Sequence, residues 1–171
     1  MPEIILIAHN IRSTHNIGAI FRTAEGFGVT RIILSGYSPY PRLAHDSRLP
    51  HIADKLTGQI HKTALGAETL VPFTYHEQPP LAELQAEGYR IVGLEQDSRS
   101  IILPNYKTPI KLALLLGEEV EGITLDLRHL CDDLIEIPMA GQKESFNVSV
   151  ATGIALYHLT AIGADASQRP L

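Results

Sequence analysis

Leu112-Ala113-Leu114-Leu115-Leu116 runs without a break into Gly117-Glu118-Glu119-Val120-Glu121-Gly122. An apolar run with no polar alternation reads as a short strand buried on both faces, as in parallel sheets covered by helices. The acidic turn between two glycines reads as the polar loop at the end of that strand. Ile4–Ala8, Arg31–Leu34, Arg90–Leu94 and Leu134–Ile137 repeat the apolar pattern. Val71–Tyr75 is a further candidate, weakened by Pro72, which cannot donate to a sheet ladder.

Helical patterns separate these runs. Ile17, Ile20, Phe21 and Ala24 recur at helical spacing, with Asn16 as the expected N-cap and Gly26 and Gly28 closing the segment. Pro79–Gly88 and Leu125–Cys131 read as short helices. The last helix carries one apolar stripe: Val148, Ala151, Thr152, Ala155, Leu156, Leu159 and Ile162. Residues 35–50, with three prolines and Gly36, read as a long loop. The expectation is an α/β fold with a largely parallel sheet flanked by helices, as one domain over residues 1–171.

Composition narrows the function classes. A single cysteine, Cys131, excludes a disulfide framework. No signal peptide or membrane-length apolar run is visible, so a soluble cytoplasmic protein is expected. The net charge of −5 is unevenly spread: residues 1–62 hold seven Lys/Arg against four acids, the remainder seven against fifteen. A local basic face can attract phosphate even on an acidic protein.

Chemistry concentrates in three turns, at Asn16–Ala24, Leu116–Gly122 and Ile137–Val150. Each joins a strand end to a helix start or lies near one, where open α/β sheets place ligands. The polar residues there are Asn16, Arg22, Glu119, Ser145 and Asn147, a set suited to holding an anionic substrate and polarising a hydroxyl. Singly, each has a plain structural explanation: caps for Asn16, Ser145 and Asn147, solvent-facing side chains for Arg22 and Glu119. No G-x-G-x-x-G follows the first strand and no phosphate-binding P-loop occurs. His45/His51 and His9/His15 lack the spacing and the cysteine partners of a zinc site, so no metal is expected. Cys131 falls on the apolar side of its helix and reads as core.

Taken together, the three blocks resemble the sequence motifs of the SpoU (TrmH-like) family of RNA 2′-O-methyltransferases, in the SPOUT superfamily. N-x-G-A-I-x-R-T-A matches at 16–24, L-x-G-x-E-x-x-G-I at 115–123, and I-P-M-x-G-x-x-x-S-x-N-V-S-V-A at 137–151. They occur in the family's order across nearly the whole chain. The stretch Ile60–Glu68 is also similar to family members, without an assignable role. Phe146 stands where the family commonly has leucine. His9–His15 lacks the acidic-proline pair of many relatives.

The resemblance implies a SPOUT-type fold with a C-terminal trefoil knot, S-adenosylmethionine as cofactor, and a homodimer with active sites at its interface. It implies that Arg22, helped by a substrate phosphate, takes the proton from a ribose 2′-hydroxyl. Asn16 would orient that arginine or the substrate, Glu119 the second-motif loop and the reacting groups, and Ser145 and Asn147 the space around the ribose. The cofactor's adenosine would lie against backbone near Leu94, Gly117, Ile137, Met139 and Phe146. Glycines 117, 122 and 141 would allow close backbone approach or positive φ. Within this resemblance, the minimal size and the similarity of Gln85–Gln96 to tRNA-modifying relatives favour tRNA over rRNA. The alternatives are an rRNA substrate, or a non-catalytic RNA-binding protein of the same fold.

Overall fold

The computed structural model describes residues 1–161. Seven strands form one sheet in the order β3-β2-β1-β6-β4-β7-β5. They are β1 (Glu3–His9), β2 (Arg31–Ser35), β3 (Phe73–His76), β4 (Arg90–Leu94), β5 (Ile101–Ile102), β6 (Lys111–Leu116) and β7 (Asp133–Glu136). Every pairing is parallel. The helices are α1 (Thr14–Gly26), α2 (Pro50–Ala64), α3 (Ala67–Leu70), α4 (Leu81–Ala86), α5 (Leu125–Leu130) and α6 (Val148–Ala161). None of the described helices is long and apolar enough to cross a membrane.

The absence of alternation in the strands follows from helices on both faces. Ile4, Leu6 and Ala8 of β1 face α1, α2 and α6 through Ile17, Ile20, Phe21, Ile60 and Leu156. Ile5 and Ile7 face the other way, toward Leu81, Leu84 and Leu127 of α4 and α5. Each Ile or Leu so buried contributes about 1.5–3 kcal/mol, whichever face it points to. Cys131 packs against this second cluster, and burial pushes its thiol up to about 11, which disfavours the thiolate.

Pro72 does not break the candidate strand at Val71–Tyr75. It precedes β3, and its carbonyl accepts from Ile32 N at 2.9 Å. The loop of residues 35–50 hands over to α2, a helix without a strong signal in its sequence. Arg48 staples that loop: its guanidinium lies 3.5 Å from the centre of the Tyr40 ring and donates to Tyr40 O at 2.9 Å.

One sequence expectation changes here. Asn16 is not the N-cap of α1: that position is Ser13, whose Oγ accepts from Asn16 N at 3.2 Å. The Asn16 side chain is thereby released for other work. The apolar stripe of the last helix is spent inside the chain, since Thr152, Ala155, Leu156 and Leu159 are all buried; Ile162 lies outside the described residues. What α6 leaves exposed is Val150 and Tyr157.

The Ile60–Glu68 stretch acquires a role as the seat of the first-motif helix. A Cβ on Gly18 would lie 2.1 Å from Thr63 Oγ1 and 2.3 Å from Ile60 O, so α1 and α2 touch backbone to backbone at this glycine. Thr63 Oγ1 donates to His15 O at 2.9 Å, and Glu68, buried, accepts from Gly66 N at 3.0 Å while bonding the His61 ring. Gly18→Val is therefore expected to lower stability by about 3 kcal/mol through overpacking. Urea unfolding checks this, and an unchanged midpoint would contradict it. The Gln85–Gln96 stretch is likewise structural along much of its length. Tyr89, Ile91 and Val92 are buried in the two cores, so its similarity to tRNA-modifying relatives reports packing rather than substrate.

Candidate active site

A cleft of about 370 Å³ opens beyond the carboxyl ends of β4, β6 and β7. Leu94, Gly117, Ile137, Met139 and Phe146 all line it, as do Glu119, Ser145 and Asn147. The strand ends put them there: Leu94 pairs with Ile135 in register, and Leu116, which closes β6, lies opposite Ala8.

At the rim, one side chain from each motif joins a single hydrogen-bonded chain. Asn147 Nδ2 donates to Asn16 Oδ1 at 3.1 Å, and Asn16 Nδ2 donates to Glu119 Oε1 at 3.1 Å. Glu119 Oε2 also accepts from the Arg12 amide at 3.4 Å. Asn147 caps α6 at the same time, its Oδ1 accepting from Ser149 N at 3.0 Å. Capping and site-building are thus combined in one residue.

Arg22 is elsewhere. It lies six residues beyond Asn16 on α1, roughly 240° round the helix axis and about 9 Å further along it. It is exposed, and it is not among the cleft residues. Within one chain Asn16 does not orient Arg22; its amide is committed to Glu119 and Asn147.

The glycines divide. A Cβ on Gly117 would fall 2.4 Å from the carbonyl carbon of Gly122 and 2.5 Å from Ile123 N, and Gly122 has φ +67°. The loop between them closes on itself through Glu118 N→Gly122 O at 3.2 Å and Gly122 N→Glu118 O at 3.0 Å. Gly117 is required by a neighbouring loop backbone. Gly141 does not take positive φ, and no protein atom lies within 4 Å of its Cβ position, so no protein contact requires a glycine there.

Glu95 and Gln96 close the Gln85–Gln96 stretch, and neither was singled out in the sequence as a site residue. Glu95 Oε2 accepts from Ile123 N at 2.6 Å and Oε1 from Gln96 N at 2.9 Å, so the carboxylate pins the second-motif loop to the end of β4. Gln96 Nε2 donates to Glu144 O at 2.6 Å and ties down the third-motif loop. Asp97 anchors the same turn on Arg99 and Arg128, and the Arg99 amide and both guanidiniums hold its carboxyl down at about 2. Glu95→Ala is expected to weaken cofactor binding about tenfold, the value of a charge-assisted hydrogen bond, and Glu95→Gln less. Isothermal calorimetry decides, and an unchanged Kd for Glu95→Ala would contradict the role.

His9 is buried and bonds Ser35 Oγ through Nδ1 at 3.0 Å, and burial lowers its pKa. Among the described residues no group of three or more His, Cys, Asp or Glu side chains could hold a metal ion.

Comparison with known proteins gives this geometry its family. The profile of the SpoU rRNA Methylase family matches residues 3–157. The chain belongs to the SpoU methylase family. It is 35% identical over 158 residues to the 23S rRNA (guanosine-2′-O-)-methyltransferase RlmB of Nitrosomonas europaea, covering 91% of this chain and 55% of that protein. Against RlmB of Salmonella typhimurium the identity is 36% over 155 residues, with 90% and 58% covered. The chain thus spans a little over half the length of these curated relatives. Two solved SpoU-type folds superpose closely. An AdoMet-bound rRNA methyltransferase from Sinorhizobium meliloti has a TM-score of 0.78 at 22% identity, over 95% of this chain and 57% of the other. The TrmH/SpoU tRNA modifying enzyme of A. aeolicus has 0.77 at 25% identity, over 94% and 75%.

SpoU methyltransferases use S-adenosylmethionine, and the cleft fits that molecule. Residues 138–146 make no backbone–backbone hydrogen bond to any described residue, and apart from Glu144 O, which Gln96 holds, their main-chain amides and carbonyls are available to an adenine edge. Leu94, Leu116, Ile137, Met139 and Phe146 supply apolar contact. The lining carries Glu95, Glu118, Glu119, Glu121 and Glu136 and neither Lys nor Arg, a balance suited to a sulfonium cation.

Proposed function

We propose that this chain methylates a ribose 2′-hydroxyl of RNA, with S-adenosylmethionine as donor. The observation that carries the reading is the Asn147–Asn16–Glu119 chain, which binds all three motifs at the mouth of one acidic cleft. The substrate class that the named relatives favour is rRNA. The sequence-stretch argument for tRNA loses its support, since Gln85–Gln96 serves the core and the loop latches.

S-adenosylmethionine supplies an electrophilic methyl group on sulfur. The residues do the rest. Asn16, held from both sides, and Glu119 place polar atoms where a ribose edge enters. The acidic lining repels RNA phosphates, so the phosphate next to the target must stay outside the cleft. We assign its grip to Arg22 of a second copy of the chain. A guanidinium is always protonated near neutrality, so Arg22 holds that phosphate and the developing oxyanion. The hydroxyl proton would pass by way of that phosphate to solvent, and the new carbon–oxygen bond would replace the donor's carbon–sulfur bond, whose electron pair stays on sulfur.

A homodimer built on exposed Arg22 of α1 with Val150 and Tyr157 of the adjoining α6 would bring that arginine to the partner's cleft. We also read the C-terminal segment as knotted. In support, β7 is inserted between β4 and β5, and the segment after it is tied to the turn after β4 by Gln96. The catalytic unit is then the domain described, acting in the cytoplasm on RNA.

The test is tritiated-methyl incorporation into 23S rRNA and into bulk tRNA from a strain lacking the gene. Incorporation confined to 23S rRNA supports the reading. Incorporation confined to tRNA reverses the substrate class, and none into either favours a binding protein without turnover.

A further inference from the structure

We propose that Arg12 and Tyr37 form a platform on which an unpaired nucleobase stacks beside the ribose being methylated, a step that rests on the RNA methyltransferase reading and extends it. The two side chains come from different turns, after β1 and after β2, and meet at the mouth of the cleft. The Arg12 guanidinium lies over the Tyr37 ring, 5.4 Å from its centroid. Its Nη2 donates to Glu118 Oε1 at 3.0 Å, and its amide reaches Glu119. The platform is therefore one residue removed from the Asn16–Glu119 bond at the rim.

Both turns are fixed, and neither needs the two side chains for stability. Asn10 Oδ1 accepts from Tyr37 N at 3.2 Å, and Asn10 and Gly36 both adopt left-handed backbone, φ +57° and +65°. A Cβ on Gly36 would lie 1.9 Å from Asn10 Oδ1, so the contact requires glycine there. Yet Tyr37 is 48% exposed and the Arg12 side chain 75% exposed. With its arginine end this exposed, the ion pair to Glu118 adds little to folding. A rigid backbone thus presents two flat π-surfaces to solvent.

The ligand class follows from the charges. The Arg12 charge is already paired with Glu118, so a phosphate here would be repelled by the carboxylate of Glu119, whereas a neutral base carries no charge to repel. Base faces stack on tyrosine and on guanidinium planes, and base N–H groups can donate to the carboxylates. A base inside a duplex cannot offer its face, so the site selects single-stranded or looped RNA.

The test uses a single-stranded RNA oligonucleotide of mixed sequence containing 2-aminopurine, whose fluorescence falls on stacking, with the matching duplex as control. Tyr37→Ala is expected to weaken single-strand binding roughly five- to a hundredfold, the range of one base–aromatic stack, and to abolish quenching. Tyr37→Phe keeps both. Arg12→Lys, which retains charge without the plane, is expected to lose quenching. S-adenosylmethionine affinity stays unchanged throughout, which separates the platform from a general loss of fold. Wild-type RNA binding matched by Tyr37→Ala, with equal quenching, overturns the platform alone. Wild type that binds neither form of RNA overturns the methyltransferase reading and the platform with it.

Discussion

Arg22→Ala is expected to abolish methyl transfer and to leave S-adenosylmethionine binding at its wild-type affinity. The separation follows from position: the cleft is built without Arg22, and the exposed side chain contributes little to stability. Arg22→Lys should rescue little, since a single ammonium cannot reproduce a two-pronged grip on phosphate. If the arginine acts across a dimer, the loss is also complementable. A subunit lacking Arg22 keeps a sound cleft, and a subunit with a ruined cleft keeps its arginine. Mixing two inactive variants, Arg22→Ala and Gly117→Val, should restore roughly a quarter of wild-type activity, because half the dimers at equal mixing carry one complete site of two. Tritium counting on the mixture checks this. Equal activity of Arg22→Ala and wild type would remove the residue from the mechanism. No recovery on mixing would put its action within one subunit.

Gly117→Val is expected to eliminate measurable S-adenosylmethionine binding. The new side chain would start inside the Gly122 and Ile123 backbone, which cannot yield as a flexible side chain could. The loop must then open, losing the Glu118–Gly122 pair of hydrogen bonds and the Glu95 grip on Ile123. Gly141→Val makes the contrast. Its Cβ position is open, so affinity should fall by less than about tenfold. Calorimetry on both variants decides. Equal effects would mean that the clash at Gly117 is relieved, or that Gly141 meets the cofactor directly.

Six of the seven strands were legible in the sequence because helices cover both sheet faces and leave runs such as Leu112–Leu116 apolar throughout; β5, two exposed residues at the sheet edge, is too short to carry a pattern. The five cofactor positions expected from the resemblance do converge on one cleft. Other features were not legible, for separate physical reasons. α2 lacks a side-chain cap and begins on Pro50 after a proline-rich stretch, so its start looked like more loop. Ser13 displaced Asn16 as cap because both are good caps within one turn, and only the fold decides which is left over. Glu95 carries no motif, since its task is defined by a loop distant in sequence. Gly18 looked like a family signature, and its cause is the close seat of α1 on Ile60 and Thr63.

The strand order has a consequence for how the protein is made. β1 and β4 both pair with β6, and β4 and β5 both pair with β7. Two interior strands, β6 and β7, are thus supplied last. As the chain leaves the ribosome, β1 and β4 are present with no neighbour between them, and each shows the solvent an unsatisfied edge until residue 116 has emerged. Pairings so distant in sequence are slow to form and leave intermediates open to aggregation. Shortening the chain from its C-terminal side would therefore strip interior strands, first β7 and then β6, rather than trim the sheet's margin.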